Sequence, residues 1–239
     1  EVSNAFNTQM AWDLISLFEE LAVATDDVRV VVITGAGDRA FCAGGDLKER
    51  NGMTSDQWFK QHKLYERMVR SIINCPLPII AAVNGVAYGG GCELVSAVDF
   101  AYAADHAIFA QTEVRLGIIP GIGGTQTLAR SIGEKRAKEL IFTGQTFSSK
   151  DAYEWGLVNK IVPESELLDT ALKVAKSIAN NAPIAVKQAK QAIQKGLSMS
   201  LMDGLAFEIE AYNRTVKTFD RIEGVSAFNE KRKAKFRGD

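Results

Sequence analysis

The chain has 239 residues, of which 46% are hydrophobic and 24% are charged. With 28 Lys and Arg against 29 Asp and Glu, the net charge of −1 excludes a globally basic nucleic-acid binder and an acidic disordered chain. This length and apolar content predict a globular protein of mixed α and β structure, with one or two domains.

The chain opens with a predicted helix and a predicted strand. Apolar residues at helical spacing indicate an amphipathic helix over residues 6–21, which Asp26 and Asp27 end. The β-branched run at residues 28–34 is typical of a strand that is buried on both faces. Such a strand implies a sheet that is covered by helices.

The next predicted elements alternate between glycine-rich loops, helices and strands. Residues 35–45 are expected to form a loop, residues 55–74 a polar helix, and residues 78–88 a second buried strand or a pair of strands. Further elements follow in order: a helix that starts at 92–97, short strands at 99–103 and 107–110, a glycine loop at 120–125, and helices at 126–132 and 134–142.

Beyond about residue 163 the sequence predicts helices only. One apolar face at helical spacing runs from Leu167 to Ile178, and Pro183 occupies a first-turn position of a helix that extends to about residue 194. A third apolar face consists of Leu201, Leu205, Ile209 and Tyr212.

Several chemistries are disfavoured by the residue counts. Three widely spaced cysteines without a CxxC pair argue against a disulfide scaffold and favour a reducing compartment. The two histidines, His62 and His106, are too few for a His-based metal site and are interpreted as surface or core residues. The longest apolar run, residues 77–83, is far shorter than the ~20 residues that span a bilayer.

Glycine-rich loops recur where apolar segments meet helical or polar ones, at residues 35–45, 89–91 and 120–125. The N–H groups at a helix start have no intrahelical partner and lie at the positive end of the helix dipole. Such loops can bind a phosphate or stabilise a developing oxyanion.

The first of these loops formally matches a dinucleotide-binding fingerprint through Gly35, Gly37 and Ala40. That fingerprint requires a helix that opens inside the motif, whereas Gly44 and Gly45 follow within a few residues. We therefore expect a plain turn. A nucleotide-dependent dehydrogenase remains the alternative, which NAD binding would test.

Two carboxylates lie in glycine-rich, apolar surroundings. Glu93 directly follows the 89–91 loop, and Glu113 comes twenty residues later. Each glutamate alone would be interpreted as a solvated surface residue, but a charge in such surroundings is costly. Two loops that present N–H groups, together with two carboxylates, suit the stabilisation of an oxyanion while protons move nearby.

Four segments together resemble the crotonase family, also called the enoyl-CoA hydratase/isomerase superfamily. They are FCAGGDLKE at 41–49, NGVAYGGGCEL at 84–94, IPGIGGTQ at 119–126 and DRIEGVSAFNEKR at 220–232. The resemblance covers nearly the whole chain. It implies an α/β fold with a crotonase-like spiral of ββα turns over residues 1–180. It also implies a C-terminal helical region over residues 181–239 that forms homo-trimers, which often pair as hexamers.

The resemblance also implies a reaction. The oxyanion-hole N–H donors of the family match Gly45 and Gly90, and its two hydratase glutamates match Glu93 and Glu113. Glu93 would help to activate a water, and Glu113 would deliver a proton to Cα. We expect an enoyl-CoA hydratase that adds water syn across the 2,3 double bond of a 2-enoyl-CoA, in fatty-acid or branched-chain acyl-CoA breakdown. The reaction needs no metal and no other cofactor, because coenzyme A is part of the substrate.

Further substrate contacts are implied beside these residues. The set expected to bind the acyl-CoA consists of Ala43, Gly45, Asp46, Leu47, Lys48 and Gly90. Lys48 and the basic tail, with eight Lys or Arg against four Asp or Glu from Arg214 onward, are candidates for CoA phosphate contacts or a solvated face. The tail lacks the interleaved aromatic residues of a nucleic-acid-binding module, so neither a nucleic-acid nor a membrane partner is expected.

Two departures from the family and three alternatives remain. The hydratases most often have Ala at Gly45, with little expected consequence because only the N–H is used. The family begins with a strand ending in Asn-Arg-Pro, so we expect that a strand precedes Glu1.

The alternatives are an enoyl-CoA isomerase, a hydratase for a branched substrate such as methylglutaconyl-CoA, and a catalytically silent acyl-CoA-binding scaffold. The expected location is the cytoplasm of a bacterium or the mitochondrial matrix of a eukaryote.

Overall fold

The computed structural model describes residues 3–24 and 28–239, in which short strands alternate with helices. The strands are β1 Val31–Thr34, β2 Ala40–Cys42, β3 Ile79–Val83, β4 Val86–Tyr88, β5 Phe100–Ala104, β6 Ile108–Ala110, β7 Thr146–Ser148 and β8 Lys160–Val162. The helices are α1 Thr8–Val23, α2 Leu47–Arg50, α3 Ser55–Asn74, α4 Gly90–Ala97, α5 Gly124–Ile132, α6 Glu134–Thr143, α7 Ser149–Glu154, α8 Glu164–Ala179, α9 Pro183–Gly196, α10 Leu201–Val216 and α11 Phe219–Asn229. A short 3-10 helix covers Glu113–Leu116.

The strands form two four-stranded sheets, ordered β1-β3-β5-β8 and β2-β4-β6-β7. Each of the pairs β1β2, β3β4 and β5β6 gives one strand to each sheet and is followed by helical structure. Neighbouring strands such as β3 and β5 are parallel, whereas β6 and β7 are antiparallel. This repetition is the predicted spiral of ββα turns, so the fold class is confirmed.

The described residues divide into two compact units. The first takes those within Glu1–Glu20, Val32–Cys75 and Ile79–Leu172, and the second takes those within Leu21–Val31, Pro76–Pro78 and Lys173–Asp239. In the first unit every residue of β3 is fully buried, as the prediction of a strand covered on both faces requires. Long apolar side chains of α5 and α6, including Leu128 and Leu140, are buried in the same unit.

Some elements differ from the sequence prediction. Residues 35–45 are not all loop, because Ala40–Cys42 forms β2 parallel to β4. A strand of three buried residues between glycines has no room for an alternating pattern that would reveal it. The first helix starts at Thr8 because Phe6 pairs with Gly45 as an isolated parallel bridge. The predicted end of that helix at Asp26 and Asp27 lies outside the described residues.

The turn after β1 explains the glycines of the first loop. The Asn84 side chain accepts a hydrogen bond from Gly35 N (3.0 Å) and donates to the carbonyls of Gly35 (3.0 Å) and Gly37 (2.7 Å). The chain then enters β2 rather than a helix. The expected plain turn is therefore present, and the helix that a dinucleotide fingerprint needs is absent from this part of the structure.

In the second unit, α9 and α10 pack closely where Gly196 meets Gly204. Arg29 donates to the carbonyls of Ala179 and Phe236, which ties the segment before β1 to the helices and the tail. The Asp220 carboxylate accepts from two backbone N–H groups of that tail. No helix in the described ranges is both long enough and apolar enough to cross a bilayer.

Candidate active site

A cavity of about 630 Å³ in the first unit gathers the residues that the sequence singled out. Its walls include both predicted oxyanion glycines and both predicted catalytic glutamates: Gly45, Gly90, Glu93 and Glu113. Apolar side chains supply most of the remaining lining, among them Leu116, Ile118, Ile119 and Ile122. Strand-to-helix connections of three successive ββα turns thus converge on one concave space.

Gly45 is held in an extended loop after β2. Phe6 N donates to the carbonyl of Gly44 (2.7 Å), and Asp46 N donates to the carbonyl of Phe6 (2.7 Å). Gly45 lies between these two bonds and makes neither of them. Because N–H groups alternate in direction along an extended chain, the N–H of Gly45 points away from Phe6.

Gly90 is the first residue of α4 and follows Gly89, which has a φ of 51° and a ψ of −121°. A side chain would make the Gly89 conformation costly. The first intrahelical bond runs from Glu93 N to Gly89 O (2.9 Å), so the N–H of Gly90 precedes the hydrogen-bond ladder of the helix. A Cβ on Gly44 would lie 3.2 Å from Gly90 N, which shows how closely the two loops approach.

The carboxylate of Glu93 lies on the first turn of α4 and is only 3% exposed. Its Oε1 accepts hydrogen bonds from Ile122 N (2.9 Å) and Gly124 N (2.7 Å), so the 120–125 loop fixes its position. Burial raises the pKa of Glu93, and the loop N–H groups oppose that rise because they stabilise the ionised form. The carboxylate of Glu93 is therefore buried, and two backbone N–H groups bind one of its two oxygens.

Glu113 occupies the start of the 3-10 helix and is 8% exposed. Burial, reinforced by the negative charge of Glu93, raises the pKa of Glu113 to about 7. The buried Gln111 amide, with its nitrogen turned toward Glu113, donates to both carboxyl oxygens at 3.1 and 3.3 Å. The pKa values of both carboxyls are raised, and the loop N–H groups oppose the rise at Glu93 more than any hydrogen bond does at Glu113.

The remaining predicted contacts lie in different places. Ala43 and Leu47 line the cavity beside Gly45. Asp46 caps α2, because its carboxylate accepts from the N–H groups of Lys48 and Glu49, and it is not among the lining residues. Lys48 is exposed and borders an adjoining open groove. In the tail, Arg232 binds the carboxylates of Glu223 and Glu230.

The sequence analysis missed several lining residues. His62, interpreted from sequence as a surface or core residue, lines the cavity and lies 3.6 Å from the Glu66 carboxylate. Arg50, Trp58 and Tyr65 also line it. Arg50 directly follows the motif segment at 41–49, which is the signal that could have identified it. Among the residues that the structure describes, no group of three His, Cys, Asp or Glu is arranged to hold a metal ion.

Comparison with known proteins identifies the family of the chain. The family described as Enoyl-CoA hydratase/isomerase matches residues 1–239. A short-chain-enoyl-CoA hydratase of Clostridium acetobutylicum is 42% identical over 230 residues, which are 96% of this chain and 88% of the relative. The human mitochondrial methylglutaconyl-CoA hydratase is 40% identical over 216 residues, which are 89% of this chain and 64% of the relative.

A crystal structure of an enoyl-CoA hydratase from Bacillus anthracis superimposes with a TM-score of 0.97. It is 44% identical in sequence, and the match covers 100% of this chain and 92% of that structure. The chain therefore belongs to the enoyl-CoA hydratase/isomerase family. The fold and the family expected from the four sequence segments are confirmed.

Proposed function

We propose that this protein adds water syn across the 2,3 double bond of a 2-enoyl-CoA thioester and forms the 3-hydroxyacyl-CoA. The proposal rests on one observation. A single apolar cavity holds two buried carboxyl groups, which have different hydrogen-bond partners, beside two glycine N–H groups. An isomerase keeps the same oxyanion site but needs only one group that moves a proton. The presence of both glutamates favours hydration.

The two glycines would stabilise the thioester oxygen. The substrate carbonyl accepts hydrogen bonds from the N–H groups of Gly45 and Gly90. As the water oxygen bonds to Cβ, the electrons of the double bond move toward that carbonyl and build an enolate-like oxyanion. Fixed N–H donors bind this charge more strongly than they bind the neutral carbonyl, so they lower the barrier.

The two glutamates would divide the proton transfers. Glu93 takes a proton from the attacking water, since Ile122 and Gly124 hold Oε1 and leave Oε2 for that water. Glu113 starts protonated, as its raised pKa allows, and gives its proton to Cα. After one addition Glu93 carries the proton and Glu113 is ionised. Because the two groups titrate as a pair, proton exchange through solvent restores the starting state.

The other expected properties extend this proposal. Ala43, Asp46, Leu47 and Lys48 would help to bind the acyl-CoA, Asp46 through the short helix that it caps. Water addition transfers no electrons, so the reaction needs no redox group, and coenzyme A enters only with the substrate. The region 181–239 would form homo-trimers that pair as hexamers. The proposed location is the cytoplasm of a bacterium or the mitochondrial matrix of a eukaryote.

Crotonyl-CoA tests the reaction directly. We expect the enoyl thioester absorbance to fall when enzyme is added, and chromatography to show 3-hydroxybutyryl-CoA. Binding without loss of absorbance would indicate a silent scaffold. A 3-enoyl-CoA that is converted faster than crotonyl-CoA would indicate an isomerase. A branched-acyl hydratase is the second candidate, favoured by the human relative whose name specifies methylglutaconyl-CoA.

A further inference from the structure

The guanidinium of Arg50 is a cation in the wall of a largely apolar cavity. Arg50 ends α2, is half-buried, and lines the same space as the two glutamates. Its Cζ lies 4.3 Å from the centre of the Trp58 ring and 5.0 Å from that of Tyr65. Its Nε donates to Gln61 Oε1 at 2.7 Å. The aromatic rings and the amide therefore fix the orientation of the guanidinium.

This cation has no anion of its own within the described ranges, where no carboxylate forms an ion pair with Arg50. Glu49, its neighbour in sequence, accepts instead from Thr8 N (2.9 Å) and Gln61 Nε2 (2.8 Å). A guanidinium has five N–H donors, and the hydrogen bond to Gln61 uses one. Burial lowers the pKa of Arg50, and the nearby Tyr65 and Glu49 oppose this shift without cancelling it.

The position of Arg50 relates it to the acyl group of the substrate. A Cβ on Gly45 would lie 3.5 Å from Arg50 Cζ and 3.6 Å from Nη1. The guanidinium is therefore close to the N–H group that is proposed to hold the thioester carbonyl. An apolar acyl chain packed there would remove water from the terminal N–H groups and give them no acceptor, which costs free energy.

We propose that Arg50 binds a carboxylate at the far end of the acyl group, so that the preferred substrate is a 2-enoyl-CoA whose acyl chain ends in a carboxylate. This inference rests on the proposed function. Two parallel N–H groups of a guanidinium match the two oxygens of a carboxylate, which a lysine cannot reproduce. The CoA phosphates are the competing anions, because Arg50 also borders the open groove that Lys48 lines. Lys48 is the more exposed of the two cations and suits the phosphates better.

A pair of substrates of equal shape tests the proposal. Glutaconyl-CoA carries the distal carboxylate, and 5-methylhex-2-enoyl-CoA has an isopropyl group in its place. We expect wild-type kcat/KM to be higher for glutaconyl-CoA. In Arg50→Met, the kcat/KM for glutaconyl-CoA divided by that for 5-methylhex-2-enoyl-CoA should fall on the order of 10²-fold. This is the effect expected when hydrogen bonds to a charged group are lost. Arg50→Lys should lower the ratio less, because the charge stays and the fork is lost.

A matched control variant separates the effect of direct contact with the substrate from the effect of losing any positive charge near the cavity. Lys60→Met removes one positive charge from an exposed position of α3 that does not line the cavity, and it should leave the ratio unchanged. An equal fall for both substrates in Arg50→Met would mean that Arg50 acts on CoA or on the fold, and would overturn the proposal. An unchanged ratio in Arg50→Lys would contradict recognition by the guanidinium fork.

Binding measurements keep the test independent of turnover. Calorimetry should show that wild type binds glutaryl-CoA at least ~10-fold more tightly than 5-methylhexanoyl-CoA, a preference that Arg50→Met abolishes. If wild type hydrates no enoyl-CoA, the proposed function fails, yet this preference still decides whether the carboxylate site exists. Equal affinity of wild type for the two thioesters would overturn the carboxylate site, even for an enzyme that hydrates crotonyl-CoA.

Discussion

Strand β3 of the first unit buries its apolar side chains, whereas the last helices of the second unit expose many of theirs. Every residue of β3 is 0% exposed, whereas on α10 Leu201 is 78% exposed and Tyr212 is 64% exposed. More exposed apolar side chains lie on the last helices of the second unit, among them Ile193, Leu197, Met202, Ile209, Ile222, Val225 and Phe228. The first unit also exposes single apolar side chains such as Phe142, but the last helices of the second unit carry many of them, which is typical of a surface that a protein partner covers.

The difference suggests a division of labour between the two units. The loops that line the cavity belong to the first unit, whose buried strands fix their ends. We expect the helices of the second unit to gain most from contact with further copies of the chain, because they leave large apolar side chains in water. Substitutions in the loops should therefore change turnover and leave the mass unchanged, and substitutions on the exposed helical face should change the mass.

The largest effect on turnover is expected at the two glutamates. Glu93→Gln and Glu113→Gln should each lower crotonyl-CoA hydration by at least ~10²-fold, since each removes one proton-transfer group while it keeps the side-chain shape. Light scattering should give both variants the wild-type mass. If either variant kept more than half of the wild-type rate, the role given to that glutamate would be wrong.

The oxyanion site can be broken separately at Gly90. Gly90→Pro removes the N–H and should reduce kcat on the order of 10²-fold, the scale of one lost oxyanion donor. Because Gly90 is the first residue of α4, proline is compatible with the helix there. A folded, correctly assembled Gly90→Pro protein with near wild-type kcat would refute the assignment.

Gly90→Ala is the control for that variant, since it keeps the N–H and adds one methyl group. This methyl would lie 3.3 Å from the Phe6 ring and 3.5 Å from Ile122 Cδ1, which is tight but within reach of a small shift. We expect Gly90→Ala to lose much less activity than Gly90→Pro. Equal losses would mean that space in the loop, rather than the N–H, explains the proline effect.

Assembly should depend on the helical face. Light scattering at micromolar concentration should give the mass of a trimer or a hexamer for the wild type. Replacing both Leu205 and Ile209 with Glu places charges on side chains that are 45% and 56% exposed, and should lower that mass because a buried charge without a partner is costly. A monomeric wild-type mass would contradict the division of labour between the units.

A smaller effect concerns stability and pH. The raised pKa of Glu113, about 7, means that ionisation of this group destabilises the folded state. Its stabilising contribution is complete below the unfolded pKa, near 4.5, and is lost as the pH rises through about 7. Glu113→Gln cannot ionise, so its free energy of unfolding should exceed that of wild type by roughly 1–3 kcal/mol at pH 8.

Denaturant unfolding at a fixed protein concentration measures this difference, because assembly couples stability to concentration. The gap between Glu113→Gln and wild type should close as the pH falls to about 4.5, where both side chains are neutral. A gap of the same size at both pH values would show that the amide stabilises through packing alone. The variant would then say nothing about the proton on Glu113.

The sequence predicted best where a long stretch has one consistent pattern. The helix over residues 55–74 has the predicted bounds, supported at its start by a capping box between Thr54 and Gln57. The strands β7 and β8, at three residues each, were missed because so short a run carries no recognisable period. The fold class followed from motif order, which does not depend on finding every strand.

The candidate site also contains residues that the sequence pattern did not reveal. Glu93 and Glu113 stand out because a charge among glycines and apolar residues is unusual. Arg50 and His62 sit in ordinary polar segments, so only the fold reveals that they line the cavity. The support from Gln111 to Glu113 is hidden as well, because the hydrogen bonds of a buried amide depend on three-dimensional packing. The sequence thus predicted the residues that are proposed for the chemistry, whereas several residues that shape the cavity emerged only from the fold.

The smallest effect is expected at Gly45, the other proposed oxyanion donor. A Cβ there would lie 3.5 Å from Arg50 Cζ and 3.7 Å from Tyr65 Cε2, which are ordinary van der Waals distances. Its φ lies outside the left-handed region, so alanine introduces no backbone strain. Gly45→Ala should therefore keep crotonyl-CoA hydration within about threefold of wild type, because the N–H that would bind the oxyanion stays in place. Steady-state kinetics on the assembled protein checks this expectation. A loss as large as that of Gly90→Pro would mean that Gly45 contributes space rather than its N–H, and the proposed oxyanion site would then rest on Gly90 alone.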